Sequence, residues 1–390
     1  MVIVATKIKL IPTKEQEVLF WKSAGVARWA YNYYLSENEQ HYKEYLDGKH
    51  EQKTLKEGEV RKYINNVLKK TTHTWLKDVG SNVMKQGVKD ADEAYKRWFK
   101  GGSKKPKFKS RHKSKISFYV NYESLKRMNN GFRGEKIGFV RTTQPLPKLQ
   151  NGKKYSNPRI SYDGKYWFLS IGYEIDVIET ELTDTSLGID LGVKDLAICS
   201  SGKVYKNINK TKEVIRLEKK LKREQRKLSR KIEANIENYS GNRRPIYKKS
   251  LSQMRNIQKQ NNVIRGLHKR LTDIRNNHLH QTTNDIVKTK PYRIVIEDLN
   301  VSGMMKNKHL SNAIAKQKLY EFRRQLEYKT KRYGIELVLA DRWYASSKTC
   351  SKCGAIKSDL KLKDRIFKCE CGHVIDRDLN ASINLANYQI

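Results

Sequence analysis

Four cysteines crowd the stretch from residue 350 to residue 371, as C-x2-C in SKTCSKCG and as C-x-C in FKCECG. A segment that short cannot fold around a hydrophobic core of its own, and small units of this kind are held by metals or disulfides. Thiolates from Cys350, Cys353, Cys369 and Cys371 at this spacing suit tetrahedral Zn2+, which commits the segment to a two-knuckle ribbon. The second pair is one residue tighter than C-x2-C, so His373 stands as an alternative ligand to Cys371. Metal binding rather than disulfide pairing fits a reducing cytosol. The fifth cysteine, Cys199, stands alone in an apolar stretch and reads as a small buried hydrophobe.

Charge narrows the class of partner. The 390 residues carry 81 Lys+Arg against 41 Asp+Glu, a formal net charge of +40. That excess repels itself unless a polyanion neutralises it. The opening MVIVATKIKLIP alternates like a strand, without the apolar centre of a signal peptide. No run approaches the ~20 apolar residues of a membrane span. Nucleic acid is therefore the expected partner rather than a membrane, and the expected compartment is the prokaryotic cytoplasm, in association with the nucleoid.

The first half reads as strands interrupted by helices. Residues 2–11 form a strand, and Thr13 with Gln16 makes a capping box that opens a helix. Val18, Trp21, Val26, Trp29 and Tyr33 make its apolar stripe. A second helix has Val60, Tyr63, Ile64, Val67 and Leu68 in helical phase, and a third has Met84, Val88, Ala91, Tyr95 and Trp98. These aromatics read as core. The run GGSKKPKFKSRHKSK (101–115) then breaks the pattern, and short strands such as KYWFLSIGYEI follow to about residue 180. Strands on both sides of a helical insertion predict a small β-barrel with helices grafted into it.

From residue 186 the layout becomes strand hairpin, helical insertion, strand, helix, strand and final helix around a mixed sheet, which is compatible with a ribonuclease H-like fold. The insertion pairs a helix over 213–232 (Val214, Leu217, Leu221, Leu228, Ile232) with one carrying Leu251, Met254, Ile257, Ile264, Leu267, Leu271 and Ile274. A polar connector around Ser240 and Gly241 joins them. Three carboxylates stand out. Asp190 lies inside the apolar strand LGIDLGV, Glu297 ends IVIEDL, and Asp378 begins the last helix. An acid in an apolar strand costs free energy unless a cation or donor meets it. Hard divalent ions take such oxygen ligands, and two of them ~3.5–4 Å apart clamp the attacking and leaving oxygens of a phosphodiester. The separate readings are an N-cap, a solvated strand end and a turn acceptor. Asp195, Asp298 and Asp376 are of the same residue types, but strand alternation turns Asp298 away from Glu297.

GIDLGVKDLA, IVIEDLNVSGMMKN, DRWYASSKTCSKCG and CGHVIDRDLNASINL together resemble the TnpB family, insertion-sequence proteins related to type V CRISPR effector nucleases. The resemblance is specific from about residue 186 onward and looser over the first strand, the helices and PKFKSR. It implies an α+β multidomain chain. Residues 1–12 and 101–182 would form a β-barrel wedge domain, with a helical recognition domain inserted at 13–100. A RuvC (ribonuclease H-like) nuclease domain would occupy 183–390, with its helical hairpin at about 207–284 and a zinc ribbon at about 346–375. It implies an RNA-guided DNA endonuclease that carries a guide RNA from the transposon end; the sequence does not give the oligomeric state, for which a monomer is the expectation. Target duplex DNA would be cut beside a short adjacent motif. The implied catalytic, Mg2+-binding acids are Asp190, Glu297 and Asp378, one or two ions being held, with Asp376 second choice for the last. Lys104, Lys105, Lys107, Lys109 and Arg111 would track nucleic-acid phosphates. The C-x-C pair departs from the family pattern, as does a chain that stops just after its last helix. Three other readings compete: an RNA-guided DNA-binding regulator without cleavage, a DNA transposase, and a zinc-ribbon module with general nucleic-acid affinity.

Overall fold

A computed structural model describes residues 2–111, 114–150, 152–250, 253–361 and 364–389. The chain divides into two compact units, Ile3–Ile175 and Asp176–Ile390.

The first unit is built on seven strands: β1 (Val2–Ile11), β2 (Ser117–Tyr119), β3 (Lys126–Met128), β4 (Gly131–Gly134), β5 (Gly138–Thr142), β6 (Ser156–Tyr162) and β7 (Trp167–Ile175). Their order is β2-β6-β7-β1-β5-β4-β3. Among the described residues no pairing joins β2 to β3, so by hydrogen bonding the expected barrel is a sheet with two ends. Helices α1 (Lys14–Leu46), α2 (Glu57–Tyr63) and α3 (Ser81–Phe99) lie between β1 and β2 in sequence. Thr13 caps α1 through the expected box, accepting from Gln16 N–H at 3.3 Å while Gln16 Oε1 accepts from Thr13 N–H at 3.1 Å.

The helices do not form a separate core. Phe20 of α1 packs on Phe118 and Trp167 of the sheet, with ring centroids 5.7 and 5.2 Å away, and one continuous cluster runs through both. The expected stripes are partly displaced. Val18 is 57% exposed, and after α2 the chain takes a π-helical turn over Ile64–Leu68. Val60 and Ile64 are buried and Leu68 packs against the same core, an i, i+4, i+8 row, while Tyr63 and Val67 face outward.

The second unit holds a five-stranded mixed sheet: β8 (Thr183–Leu191), β9 (Asp195–Cys199), β10 (Val204–Lys206), β13 (Pro291–Glu297) and β14 (Glu336–Ala340), in the order β10-β9-β8-β13-β14. The hairpin side is antiparallel, and β8, β13 and β14 run parallel. The insertion is α4 (Lys212–Glu233) against α5 (Arg255–Lys288). Val214 and Leu217 meet Leu267 and Leu271 between the two helices. Buried Glu224 accepts from Gln260 Nε2 at 2.8 Å. The polar connector has Ser240 and Gly241 in its turn, flanked by a strand pair, β11 (Ile236–Tyr239) with β12 (Pro245–Tyr247). Met254 caps α5 rather than lying within it, and Leu251 falls outside the described residues. Helix α5 runs on past residue 284, and Leu279, Ile286 and Val287 join the core beneath the sheet.

Short helices α6 (Val301–Met304) and α7 (Ser311–Gln317) lead to α8 (Leu319–Tyr333), which ends at Gly334 in a left-handed conformation. Phe322 and Leu326 of α8 pack with Ile294 and Ile296 on one face of the sheet. On the other face Val295, Val338 and Ala340 meet Leu385 of the last helix, α9 (Arg377–Ala386). The small hairpin β15 (Ile366–Lys368) and β16 (Val374–Asp376) leads into α9. Among the described residues no helix is long and apolar enough to cross a membrane.

Candidate functional site

Parallel register brings the first two acids together. Strands β8 and β13 pair Gly188 with Val295 and Ile189 with Ile296. The next step along both strands sets Asp190 beside Glu297, and side-chain alternation turns both to the face covered by α9. Asp298, one residue on, points to the opposite face, where its carboxylate meets Arg323 at 2.6 Å and Arg342 at 2.9 Å.

A glycine lets α9 deliver the third acid. A Cβ on Gly188 would stand 1.9 Å from the Ser382 carbonyl oxygen and 2.3 Å from the Ala386 amide nitrogen. Only a residue without a side chain allows the helix backbone to lie this close on β8. The far end of α9 is pinned where the Ala386 carbonyl accepts from Ser186 Oγ at 2.6 Å and Arg293 Nη2 at 3.2 Å. At the near end Asp376 is the N-cap, its Oδ1 accepting from the Asp378 and Leu379 N–H groups at 2.9 and 3.1 Å. Asp378 follows in the first turn, where a carboxylate also meets the positive end of the helix dipole.

Asp190, Glu297 and Asp378 line one cleft of about 280 Å³, with Asp195, Ser347, Arg365 and Arg377 among its walls. Asp195 is held by Lys206 at 3.4 Å, and Asp378 by Arg377 at 3.1 Å and Arg365 at 3.7 Å. Asp190 makes no ion pair among the described residues. Burial, then the charges of Glu297 and Asp378, push its carboxyl up to about 8. The charge of Arg377 opposes this only in part, and a carboxyl so placed suits an oxygen-seeking divalent cation.

Sequence reading missed the side chain that orients Glu297. Ser346 is buried and its Oγ donates to Glu297 Oε1 at 2.7 Å. Two asparagines of α9 hold the backbone around it. Asn384 Nδ2 donates to the carbonyls of Ser346 and Thr349 at 2.7 and 2.6 Å. Asn380 donates to Thr349 O at 2.6 Å and accepts from Ser351 N–H at 3.0 Å. The i, i+4 spacing of the two asparagines in DLNASINL was the available signal, since both lie on one helix face.

That same backbone is the first cysteine knuckle. Ligand atoms of Cys350, Cys353, Cys369 and Cys371 all lie within 4.8 Å of one another. Sulfur separations are 3.8 Å for Cys350–Cys371 and 3.5 Å for Cys353–Cys369. Four sulfurs ~2.3 Å from a tetrahedral zinc stand ~3.8 Å apart, so the donor set fits that ion. Burial opposes ionisation of Cys350, but donation from the Cys353 and Lys352 backbone N–H groups brings its thiol down to about 7. His373 is outside the group, its Nε2 3.3 Å from Ser351 Oγ.

The basic run lies in the first unit. Lys104, Lys105, Lys107 and Arg111 are exposed. Lys105 meets Glu39 at 3.1 Å. Lys109 is turned inward: its Nζ lies 3.5 Å from the Tyr31 ring centroid, and its backbone N–H donates to Asn32 Oδ1 at 2.8 Å.

Known proteins share both sequence and fold with this chain. Residues 170–308 match the OrfB_IS605 family, described as "Probable transposase", and residues 320–385 match "Cas12f1-like, TNB domain". Residues 1–47, here β1 and the single helix α1, match "Helix-turn-helix domain". A Streptomyces pristinaespiralis protein named for RNA-guided DNA endonuclease activity is 30% identical, over 98% of this chain and 88% of its own. Its namesake InsQ from Escherichia coli K12 is 29% identical, over 98% and 91%. Among solved structures, Cas12f1 from a complex with single-guide RNA and target DNA superposes with a TM-score of 0.56 at 17% identity. The match covers 96% of this chain and 83% of that one.

Proposed function

The chain belongs to the TnpB family, and from that premise we propose that it is an RNA-guided DNA endonuclease whose second unit is a RuvC-type nuclease domain. The observation that carries this reading is the cleft shared by Asp190, Glu297 and Asp378, three acids from two neighbouring parallel strands and a helix start. Guide RNA and target duplex DNA are the partners, and they account for the net charge of +40. Lys104, Lys105, Lys107 and Arg111 offer phosphate contacts, which position a nucleic acid without reading it. Sequence is read by pairing to the guide.

Asp190, Glu297 and Asp378 are the groups that would hold one or two Mg2+ ions. Such ions, when bound, activate water and neutralise charge on the phosphodiester. The chain's own residues do the rest. Asp190, whose carboxyl is pushed up by burial and then by its two acidic neighbours, would bind such an ion as the carboxylate. Ser346 holds Glu297 in one rotamer. Arg365 and Arg377, which line the cleft and rest on Asp378, would supply positive charge for the incoming phosphate. The four-cysteine ribbon would bind Zn2+ and, through Thr349 and Ser351, fixes the helix that carries Asp378.

Purified protein is expected to carry a discrete RNA whose sequence supplies the target. It is expected to cut matched duplex in Mg2+. Asp190→Ala is expected to keep the RNA and lose cutting. Undiminished cutting by this variant would refute the assignment. Binding without cleavage by the unaltered protein would support a regulator, and joining of transposon ends a transposase.

A further inference from the structure

The helical part of the first unit holds a second set of metal-type donors, unrelated to the cysteines. His41 and Glu44 stand three residues apart on α1 and share one helix face. The chain leaves α1 at Asp47 and reverses at Gly48, whose φ of +73° is a left-handed conformation that glycine adopts without strain. The reversal returns His50 to that face. One ligand atom each from His41, Glu44 and His50 lies within 4.8 Å of the other two, and all three residues are half-buried.

The ring nitrogens are what need explaining. His41 Nε2 and both nitrogens of His50 are shielded from solvent and have no hydrogen-bond partner among the described residues. Shielded polar atoms are normally paired, with protein, water or an ion. The two rings stack with centroids 3.8 Å apart and planes 15° from parallel, which engages their faces and leaves the in-plane lone pairs unused.

We propose that His41, His50 and Glu44 form a second divalent metal site, with two imidazole nitrogens, one carboxylate oxygen and a water in the fourth position. Nitrogen donors select the zinc class of ion over Mg2+ or Ca2+. Ligation requires the His50 ring to swing out of the stack so that its lone pair meets the ion. The site clips the loop after α1 back onto its helix. The other end of that loop is already fastened, where Leu55 N–H donates to Asn38 Oδ1 and Tyr34 O–H to Leu55 O, both at 2.9 Å.

Metal stoichiometry tests this directly. Full-length protein is equilibrated with micromolar Zn2+, dialysed and analysed for zinc per chain. The unaltered protein is expected to hold about two ions, and His50→Ala and His41→Ala about one each, the cysteine site supplying the remainder. Because the cysteines lie in the second unit and the histidines in the first, helical circular dichroism like the unaltered protein's reports that the variants are folded. Co2+ substitution gives an independent readout, since the nitrogen-oxygen site contributes visible bands without thiolate charge transfer. Those bands are expected to vanish in His50→Ala while the thiolate bands remain. One zinc in the unaltered chain, or two in both variants, overturns the proposal.

Discussion

Gly188→Ala puts the construction of the acid cleft to a direct test. The new methyl would lie 1.9 Å from Ser382 O, 2.3 Å from Ala386 N and 2.9 Å from Leu385 C, all of them helix backbone atoms. Backbone cannot rotate aside as a side chain can. Relief to an ordinary contact of ~3.4 Å means moving α9 off β8 by roughly 1.5 Å. The helix resists this, because Ser186 and Arg293 hold its Ala386 carbonyl and Leu385 is packed against Val295, Val338 and Ala340. Overpacking of this kind costs ~1–3 kcal/mol. For a unit of this size ~2–3 kcal/mol lowers Tm by ~4–12 °C. Asp378 rides on the same helix, and a ~1 Å misplacement of a positioned group costs on the order of 100-fold in rate. The assay is Mg2+-dependent cleavage of guide-matched duplex by the RNA-bound protein, with a thermal melt and a zinc measurement on the same sample. The expected result is a lower Tm and slow cleavage with RNA and zinc retained. Cleavage and melting like the unaltered protein's would refute the close approach of α9 to β8 and the placement of Asp378 that depends on it.

Other perturbations read other parts of the site. Ser346→Ala removes the 2.7 Å bond to Glu297. At ~1.5–3 kcal/mol for a hydrogen bond to a charged group, cleavage should fall ~10–100-fold and more Mg2+ should be needed, with RNA binding intact. An unchanged Mg2+ titration would mean that Ser346 does not orient Glu297. Asp190, raised to about 8 in the folded metal-free protein, keeps a proton that the unfolded chain has lost above ~4. Its contribution to stability is therefore complete below ~4 and disappears as pH climbs to ~8. Asp190→Asn should raise the metal-free Tm more at pH 8 than at pH 5, and an equal effect at both would show that the carboxyl is not perturbed. Replacing Lys104, Lys105, Lys107 and Arg111 by alanine should flatten the log–log salt dependence of RNA binding by up to ~3. An unaltered slope would place the phosphates elsewhere.

Much of the frame was open to sequence reading because local rules control it. The Thr13–Gln16 box, the alternation of β1 and the Gly334 stop each depend on a few adjacent residues. Alternation along β13 was enough to separate Glu297 from Asp298, and the Arg323 and Arg342 pairs of Asp298 follow from that. Where a distant contact decides, periodicity failed. The stripe over Val60–Leu68 is narrower than its apolar residues suggest, since Tyr63 and Val67 face outward. Helix α5 packs its first half on α4 and its last on the sheet core, because an amphipathic pattern does not name the surface it meets. The strand pair Ile236–Tyr247 went unread, although Ile-Glu-Asn-Tyr, a Gly-containing turn and Pro-Ile-Tyr were signals for it. Gly188 inside an apolar strand was a signal too, since glycine there often marks a close backbone approach.

Identity of donors was fixed by the chain itself: four thiols at ribbon spacing, and acids where apolar strands end or a helix begins. Ionisable groups in such settings need a cation or a hydrogen-bond donor, so the kind of partner can be read from residue type and neighbours. Which donors meet is another matter. That Cys371 rather than His373 completes the sulfur group, that Asp376 caps α9 while Asp378 enters the cleft, and that Ser346 reaches Glu297 were decided by strand register and by one helix lying on a glycine. Those are distances between residues far apart in sequence, set by packing, and packing exists only once the chain has folded.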